Sequence, residues 1–283
     1  MRPSGPTLMS TTPSSTTTPE PEHDLAPLGP VEKHLNERTK KGTICAALID
    51  PEDFSPTEAA DTSTKAIEAG ASLILVGGST LANQGRLDAV VKAVKGHTKS
   101  QPSHATSRNI PVILFPGNIT GVSRHADAIL FSSLLNSTNP YFIIGAQALG
   151  AIEVYKSKIE SIPMGYLVFG NTSAAAFIGQ VNALPANKPN LAVIYALAAQ
   201  YLGMRTLYLE AGSGAGEPVP PGTIRAVRKA YDGILIVGGG ITSAEVAADA
   251  AKAGADILVI GNLLQSPGFE GTLKQITHAL RRR

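Results

Sequence analysis

Eight short apolar runs, each separated from the next by turn signals and mostly by a helical pattern, constrain this chain more than any other feature. They read TICAALID (43–50), ASLILVGG (71–78), IPVILF (110–115), ADAILFSS (126–133), PMGYLVFG (163–170), RTLYLEAG (205–212), ILIVGGG (234–240) and ADILVIGN (255–262). The runs are continuous rather than alternating, which is the pattern of parallel strands covered on both faces. Helical patterns fall at 55–70, 82–96, 140–157, 189–202, 222–233, 242–254 and 269–282. Ser55 and Pro56 open the first of these and Gly70 closes it. Eight strands interleaved with helices over about 250 residues favour a (β/α)8 TIM barrel over an open doubly wound sheet. One unit is irregular. Only ten residues, PGNITGVSRH, separate Phe115 from Ala126, too few for a helix with its turns. The expected architecture is α/β, a modified TIM barrel lacking a regular third helix.

Residues 1–25 are rich in Ser, Thr and Pro and nearly free of large apolar side chains. Such a segment cannot bury enough surface to offset its chain entropy, so a disordered tail is expected ahead of a barrel domain over 26–283. With 24 basic and 22 acidic residues, the net charge of +2 gives no electrostatic case for a nucleic-acid partner. The terminal Arg281, Arg282 and Arg283 read as a solvated helix end. A single cysteine, Cys45, excludes an internal disulfide framework and any CxxC metal site, and its place early in a strand marks it as core. No apolar stretch reaches the roughly 20 residues needed to cross a bilayer. The N-terminus also lacks a signal peptide's apolar segment, so a cytoplasmic protein without a transmembrane segment is expected.

In such barrels the chemistry lies at the C-terminal ends of the strands. Glycines close the seventh and eighth runs, at Gly238, Gly239, Gly240 and Gly261. Glycine lets backbone N–H groups approach a phosphate closely, and a following helix N-terminus favours the anion. The competing reading, a glycine that merely ends a packed strand, weakens when two adjacent loops share the feature. GSGAG (212–216) lacks the spacing of a dinucleotide fingerprint. Asp50 ends the first run, with Ser79 and Thr80 beside it after the second. This oxygen-rich pair suits Mg2+, which binds few protein ligands plus substrate phosphate. Taken alone, however, Asp50 reads first as an Asp-Pro turn. Glu210 could accept a hydrogen bond from a substrate hydroxyl or act as a base. Tyr208, two residues earlier, shares its face of the strand. Equally, Tyr208 could fill the barrel and Glu210 form an ion pair. No lysine ends a strand, which counts against Schiff-base chemistry.

The set ALIDPE, LVGGST, LFPGN, ADAILFSSLLNSTNPYFIIGAQALGA, KPNLAVIYALAAQYLGMRTLYLEAGSGA, LIVGGGI and ADILVIGN strongly resembles the geranylgeranylglyceryl phosphate synthase family over residues 30–275. The resemblance implies a Mg2+-dependent prenyltransferase. Its small-molecule substrates would be a prenyl diphosphate and a three-carbon phosphate, and its usual state a homodimer. Carried over where the motifs match, Asp50 and Ser79 would hold Mg2+, and Tyr208 and Glu210 would contact the acceptor. Ser213, Gly239, Gly240, Gly261 and Asn262 would cradle its phosphate. Cys45 stands where archaeal-type members carry histidine, and FGNTSAAAFIGQVNA (169–183) departs from their loop after the fifth strand. These departures resemble the bacterial branch that builds phosphoglycolipid antibiotics of the moenomycin type. That branch implies farnesyl transfer to the 2-hydroxyl of 3-phosphoglycerate. The acceptor's extra carboxylate would then need Arg124, His125 or the amides of 170–173 to offset Glu210. The alternatives are a longer prenyl donor with glycerol 1-phosphate, or a non-catalytic phosphate-binding barrel. Ala174, Ala175, Ala176, Phe177 and Ile178 could line a prenyl groove or simply pack.

Overall fold

A computed structural model describes residues 28–99, 110–212 and 216–281. The Ser/Thr/Pro-rich tail, Ser213 and the last two arginines lie outside them. Eight parallel strands close into one barrel in chain order. They are β1 (Ile44–Ile49), β2 (Leu73–Val76), β3 (Val112–Leu114), β4 (Ala128–Leu134), β5 (Glu160–Val168), β6 (Thr206–Glu210), β7 (Ile234–Gly238) and β8 (Ile257–Ile260). The helices around them are α1 (Pro30–Thr39), α2 (Pro56–Glu68), α3 (Gln84–Lys99), α4 (Ala146–Ser157), α5 (Ala174–Ile178), α6 (Pro189–Tyr201), α7 (Pro221–Arg228), α8 (Ala244–Lys252) and α9 (Phe269–Leu280). Ser55 caps α2 in a capping box with Glu58, as the Ser-Pro signal implies.

Alternation along each strand divides the core in two. Ile44, Ala46 and Leu48 of β1, with Leu73, Leu75, Leu130, Met164 and Ile236 from other strands, fill the barrel interior. Cys45, Ala47 and Ile49 face the surrounding helices. Cys45 is buried, and desolvation pushes its thiol up to about 12, so it is an inert core residue.

The barrel's lower end is closed by α1, which local sequence signals did not announce. Its N-cap is Gly29, which has no side chain to cap with. Instead the Glu160 carboxylate, at the start of β5, accepts hydrogen bonds from Val31 N at 2.6 Å and Glu32 N at 2.8 Å. This cap comes from a residue about 130 positions away and satisfies first-turn amides that would otherwise be orphaned. Glu32 in turn pairs with both arms of Arg205 at 2.7 and 2.8 Å.

The third helix is missing, as the short link requires. Between β3 and β4 runs only a 3-10 turn, Ile119–Gly121. Thr120 and Val122 tie it to the loop before α3 through Leu81 O and the Gln84 amide. Past β4 the chain makes a π-helical turn, Tyr141–Gly145, before α4. A π turn misaligns carbonyls. Ser133 donates to Ile143 O at 2.6 Å and Gln147 to Phe142 O at 3.0 Å, which satisfies them.

Candidate active site

Continuing the inward-facing alternation one step past the strands puts Asp50, Glu210, Gly238 and Gly261 at the barrel mouth. Beneath them three aromatic rings form a floor. Phe115 stacks on Tyr208 with centroids 5.1 Å apart, and Tyr166 meets both edge-on at 5.5 and 5.3 Å. Neither Phe115 nor Tyr166 was legible as a site residue, although each sits on the inward face of its strand.

Glu210 is the most unusual group. Its carboxylate is buried, accepts the Gly212 amide at 2.6 Å and is hydrogen-bonded to the Tyr208 hydroxyl. Desolvation raises its pKa, and those two hydrogen bonds only partly offset the rise. The ion-pair alternative is thereby set aside, since no lysine or arginine acts on this carboxylate. Tyr208 fits the barrel-filling reading and also touches Glu210. Its ring fills the barrel and its hydroxyl reaches Glu210.

The glycines after β7 make room for this pair. A Cβ on Gly238 would come within 2.0 Å of the Tyr208 hydroxyl, and one on Gly239 within 2.6 Å of Glu210 Oε1. Gly239 and Gly240 take φ of +81° and +69°, where a side chain is strained. Gly261, on neighbouring β8, meets nothing closer than Leu48 at 3.6 Å. Among the described residues, the amides of Gly239, Gly240 and Gly261 donate to no acceptor. These adjacent donors, beside a short helix after β8, Asn262–Gln265, are the arrangement with which barrels commonly bind phosphate. Asn262 opens that helix at the surface.

Across the mouth, Asp50 makes the turn that was its first reading. Oδ1 accepts Glu52 N at 2.9 Å, the expected Asp-Pro turn. Oδ2 has no partner among the described residues and lies over Gly78, where a Cβ would come within 2.0 Å of it. Burial raises the Asp50 pKa first, and the nearby carboxylates of Asp53 and Glu52 raise it further. A cation at Oδ2 would reverse that balance. Ser79 follows Gly78, at the rim of the neighbouring strand. No group of three His, Cys, Asp or Glu among the described residues could hold a metal. One carboxylate and one hydroxyl instead fit an ion that keeps water and phosphate oxygens as its other ligands, which is the habit of Mg2+.

The Gly78 contact gives a direct test. Gly78 does not need a positive φ, and the three atoms nearest an added Cβ all belong to the Asp50 carboxylate. Gly78→Ala is expected to lower turnover roughly 100-fold, the cost of an ångström-scale displacement. Circular dichroism and the melting temperature should stay near wild type.

An open, largely apolar cleft lies beside β3 and β4, where no helix follows β3. It runs from Ser79 and Gly117 at the mouth, past the outward side chains Ile129 and Phe131 of β4, to Val154 of α4. Ala175 and Ile178 line it, as expected of the 174–178 segment. Ala176 instead packs inside, and Phe177 is 83% exposed. Arg124 and His125 lie before the N-terminal end of β4, on the far side of the barrel from Glu210, so neither can meet a ligand there.

Around the mouth, strand order therefore sets a buried carboxylate at the end of β6, amides after β7 and β8 that are unpartnered among the described residues, a carboxylate and a hydroxyl after β1 and β2, and an apolar cleft along β3 and β4. The chain matches the model of the PcrB family over residues 37–280. It is 50% identical over 254 residues to geranylgeranylglyceryl phosphate synthase of Cenarchaeum symbiosum, covering 89% of this chain and 99% of that protein. It is 48% identical over 241 residues to the synthase of the same name from Thermococcus kodakarensis, covering 85% and 92%. Among solved structures, (S)-3-O-geranylgeranylglyceryl phosphate synthase from Thermoplasma acidophilum, in complex with sn-glycerol-1-phosphate, superposes with a TM-score of 0.83 at 36% identity. That match covers 89% of this chain and 99% of the other. Barrel, cleft and relatives agree: the chain belongs to the PcrB family and is an enzyme that transfers prenyl groups.

Proposed function

We propose that this enzyme forms an ether between an allylic prenyl diphosphate and the hydroxyl of sn-glycerol 1-phosphate. The observation that carries the choice of acceptor is the buried Glu210 carboxylate with no cation acting on it. A 3-phosphoglycerate acceptor would bring its own carboxylate toward Glu210, and the cations expected to meet it lie at the other end of the barrel. Glycerol phosphate carries a single anionic group, which the amides of Gly239, Gly240 and Gly261 suit. The names of the relatives point the same way. The farnesyl and phosphoglycerate pairing expected from the rewritten 169–183 loop finds no support in them.

In this reading the acceptor phosphate lies over β7 and β8, which puts its free hydroxyl toward β6. Glu210 takes the hydroxyl proton as the oxygen bonds to C1 of the prenyl group. The C1–oxygen bond to the diphosphate breaks, and its electron pair leaves with the diphosphate. Tyr208 holds Glu210 in place. Asp50 and Ser79 would hold Mg2+, which neutralises charge developing on the leaving group. The apolar cleft takes the prenyl chain and excludes water from the reacting carbon.

The test is a competition assay that offers both acceptors with geranylgeranyl and farnesyl diphosphates. Product from glycerol 1-phosphate, with phosphoglycerate at least tenfold slower, is the expected result. Preference for phosphoglycerate would reject the acceptor assignment.

The assembly is proposed on the same footing. Leu149, Ile152 and Tyr155 on α4, Ile194 and Tyr201 on α6, and Leu202 just after it leave large apolar side chains exposed beside β5. Single exposed apolar residues are ordinary, but a stripe of them on two helices calls for a partner surface. A second copy of the chain is the proposed partner. Light scattering should give twice the chain mass, and Ile152→Glu with Ile194→Glu should give the monomer. Among the described residues no helix is long and apolar enough to cross a membrane.

A further inference from the structure

The cations of this barrel are unevenly used. Lys95 pairs with Asp127, Arg205 with Glu32 and Arg228 with Asp256. Each of those acids lies near the end of the barrel opposite the mouth, just before a strand or on α1. Arg86 differs. It stands in the first turn of α3, at the mouth, where Asn83 caps the helix by accepting the Arg86 amide at 3.1 Å. Its guanidinium donates to the carbonyls of Pro51 and Glu52, the second at 3.3 Å. Those are the two residues that follow Asp50, and the Glu52 amide is the one bound to Asp50 Oδ1. Among the described residues Arg86 pairs with no carboxylate, and its Nη1 has no partner. It is exposed, yet close enough for its charge to act on Asp50.

A guanidinium bound only to neutral carbonyls keeps its full charge. The leaving diphosphate carries more negative charge than one divalent ion cancels. Guanidinium is also the group whose geometry matches phosphate oxygens. We infer that Arg86 is a diphosphate-binding residue, presenting Nη1 to the leaving group while its other nitrogens brace the loop that carries Asp50. The inference rests on the reading of Asp50 as the diphosphate side of the mouth. It adds a specificity determinant on α3, outside the strand ends where the other site residues lie.

The experiment is calorimetric titration of the full chain with inorganic pyrophosphate in the presence of Mg2+, and separately with sn-glycerol 1-phosphate. Arg86→Gln keeps a donor for the loop carbonyls but removes the charge. It should weaken pyrophosphate binding roughly ten- to a hundredfold, the usual worth of a hydrogen bond to a charged group. Glycerol phosphate binding should be unchanged, and Arg86→Lys should recover part of the loss. In turnover assays KM for the prenyl diphosphate should rise more than kcat falls. Equal pyrophosphate affinity in wild type and Arg86→Gln would overturn the role of Arg86 alone. Parallel loss of both ligands without rescue by lysine would reduce Arg86 to a brace and overturn it too. Failure of the wild-type protein to bind pyrophosphate would instead remove the reading of Asp50 on which the inference rests.

Discussion

Replacing Glu210 by glutamine is expected to lower kcat/KM roughly 10²- to 10⁴-fold, the range for loss of a positioned base, while raising the melting temperature at neutral pH. The two effects share one cause. The carboxylate is buried, and desolvation holds its pKa above the ordinary glutamate range. A raised carboxylate pKa means that the folded state prefers the protonated form. That contribution to stability is complete below the unfolded pKa and is lost as pH rises through the folded value. Above the folded pKa the wild-type chain therefore carries a buried charge at a cost to its stability. Glutamine removes the charge but keeps an oxygen that can accept the Gly212 amide. The gap in melting temperature between variant and wild type should shrink as pH falls through the folded pKa, below which Glu210 is neutral. The same shift sets the acid limb of the rate profile. Activity should fall at a higher pH than an ordinary glutamate base would give, because the base is lost on protonation. A variant that melts lower than wild type at neutral pH would contradict this account of Glu210.

Asp50→Asn is expected to lower turnover by roughly 10³-fold, the upper range for loss of one group that stabilises charge in the transition state. Asparagine retains an oxygen for the Glu52 amide, so the turn survives. The asparagine oxygen over Gly78 is neutral and cannot offset a divalent cation. Pyrophosphate binding in the presence of Mg2+ should be lost, while glycerol 1-phosphate should bind the β7–β8 rim as before. The burial that raises the Asp50 pKa also means that removing its charge should leave the fold intact. Unchanged turnover in Asp50→Asn would contradict the placing of the metal and the diphosphate at Asp50.

Much of this was legible because it depends on local pattern. Continuous apolar runs gave the eight strands, and ten residues between Phe115 and Ala126 ruled out the third helix. Period-two alternation placed Tyr208 and Glu210 on one face of their strand. What escaped depends on contacts between distant residues. The lid α1 is capped by Glu160, a residue no local signal could supply. The aromatic floor joins Phe115, Tyr166 and Tyr208 from three strands. Gly238 and Gly239 read from sequence as phosphate loops, yet their missing side chains also make room for the Tyr208–Glu210 pair. Arg124 and His125 precede β4 and so sit at the wrong end for a barrel whose chemistry lies at the C-terminal ends of its strands. The 174–178 segment was half right, since one turn of α5 presents Ala175 and Ile178 to the cleft and turns Phe177 away.

The central claim is a division of the mouth, with acceptor phosphate on β7 and β8, its hydroxyl at Glu210, and diphosphate on the Asp50 side. A crystal structure of the protein with sn-glycerol 1-phosphate, Mg2+ and pyrophosphate tests it most directly. The account predicts acceptor phosphate within hydrogen-bond reach of the Gly239, Gly240 and Gly261 amides, its hydroxyl on Glu210, and the metal on Asp50 Oδ2. Acceptor phosphate bound at Asp50, or a Glu210 carboxylate turned away from the acceptor, would contradict it.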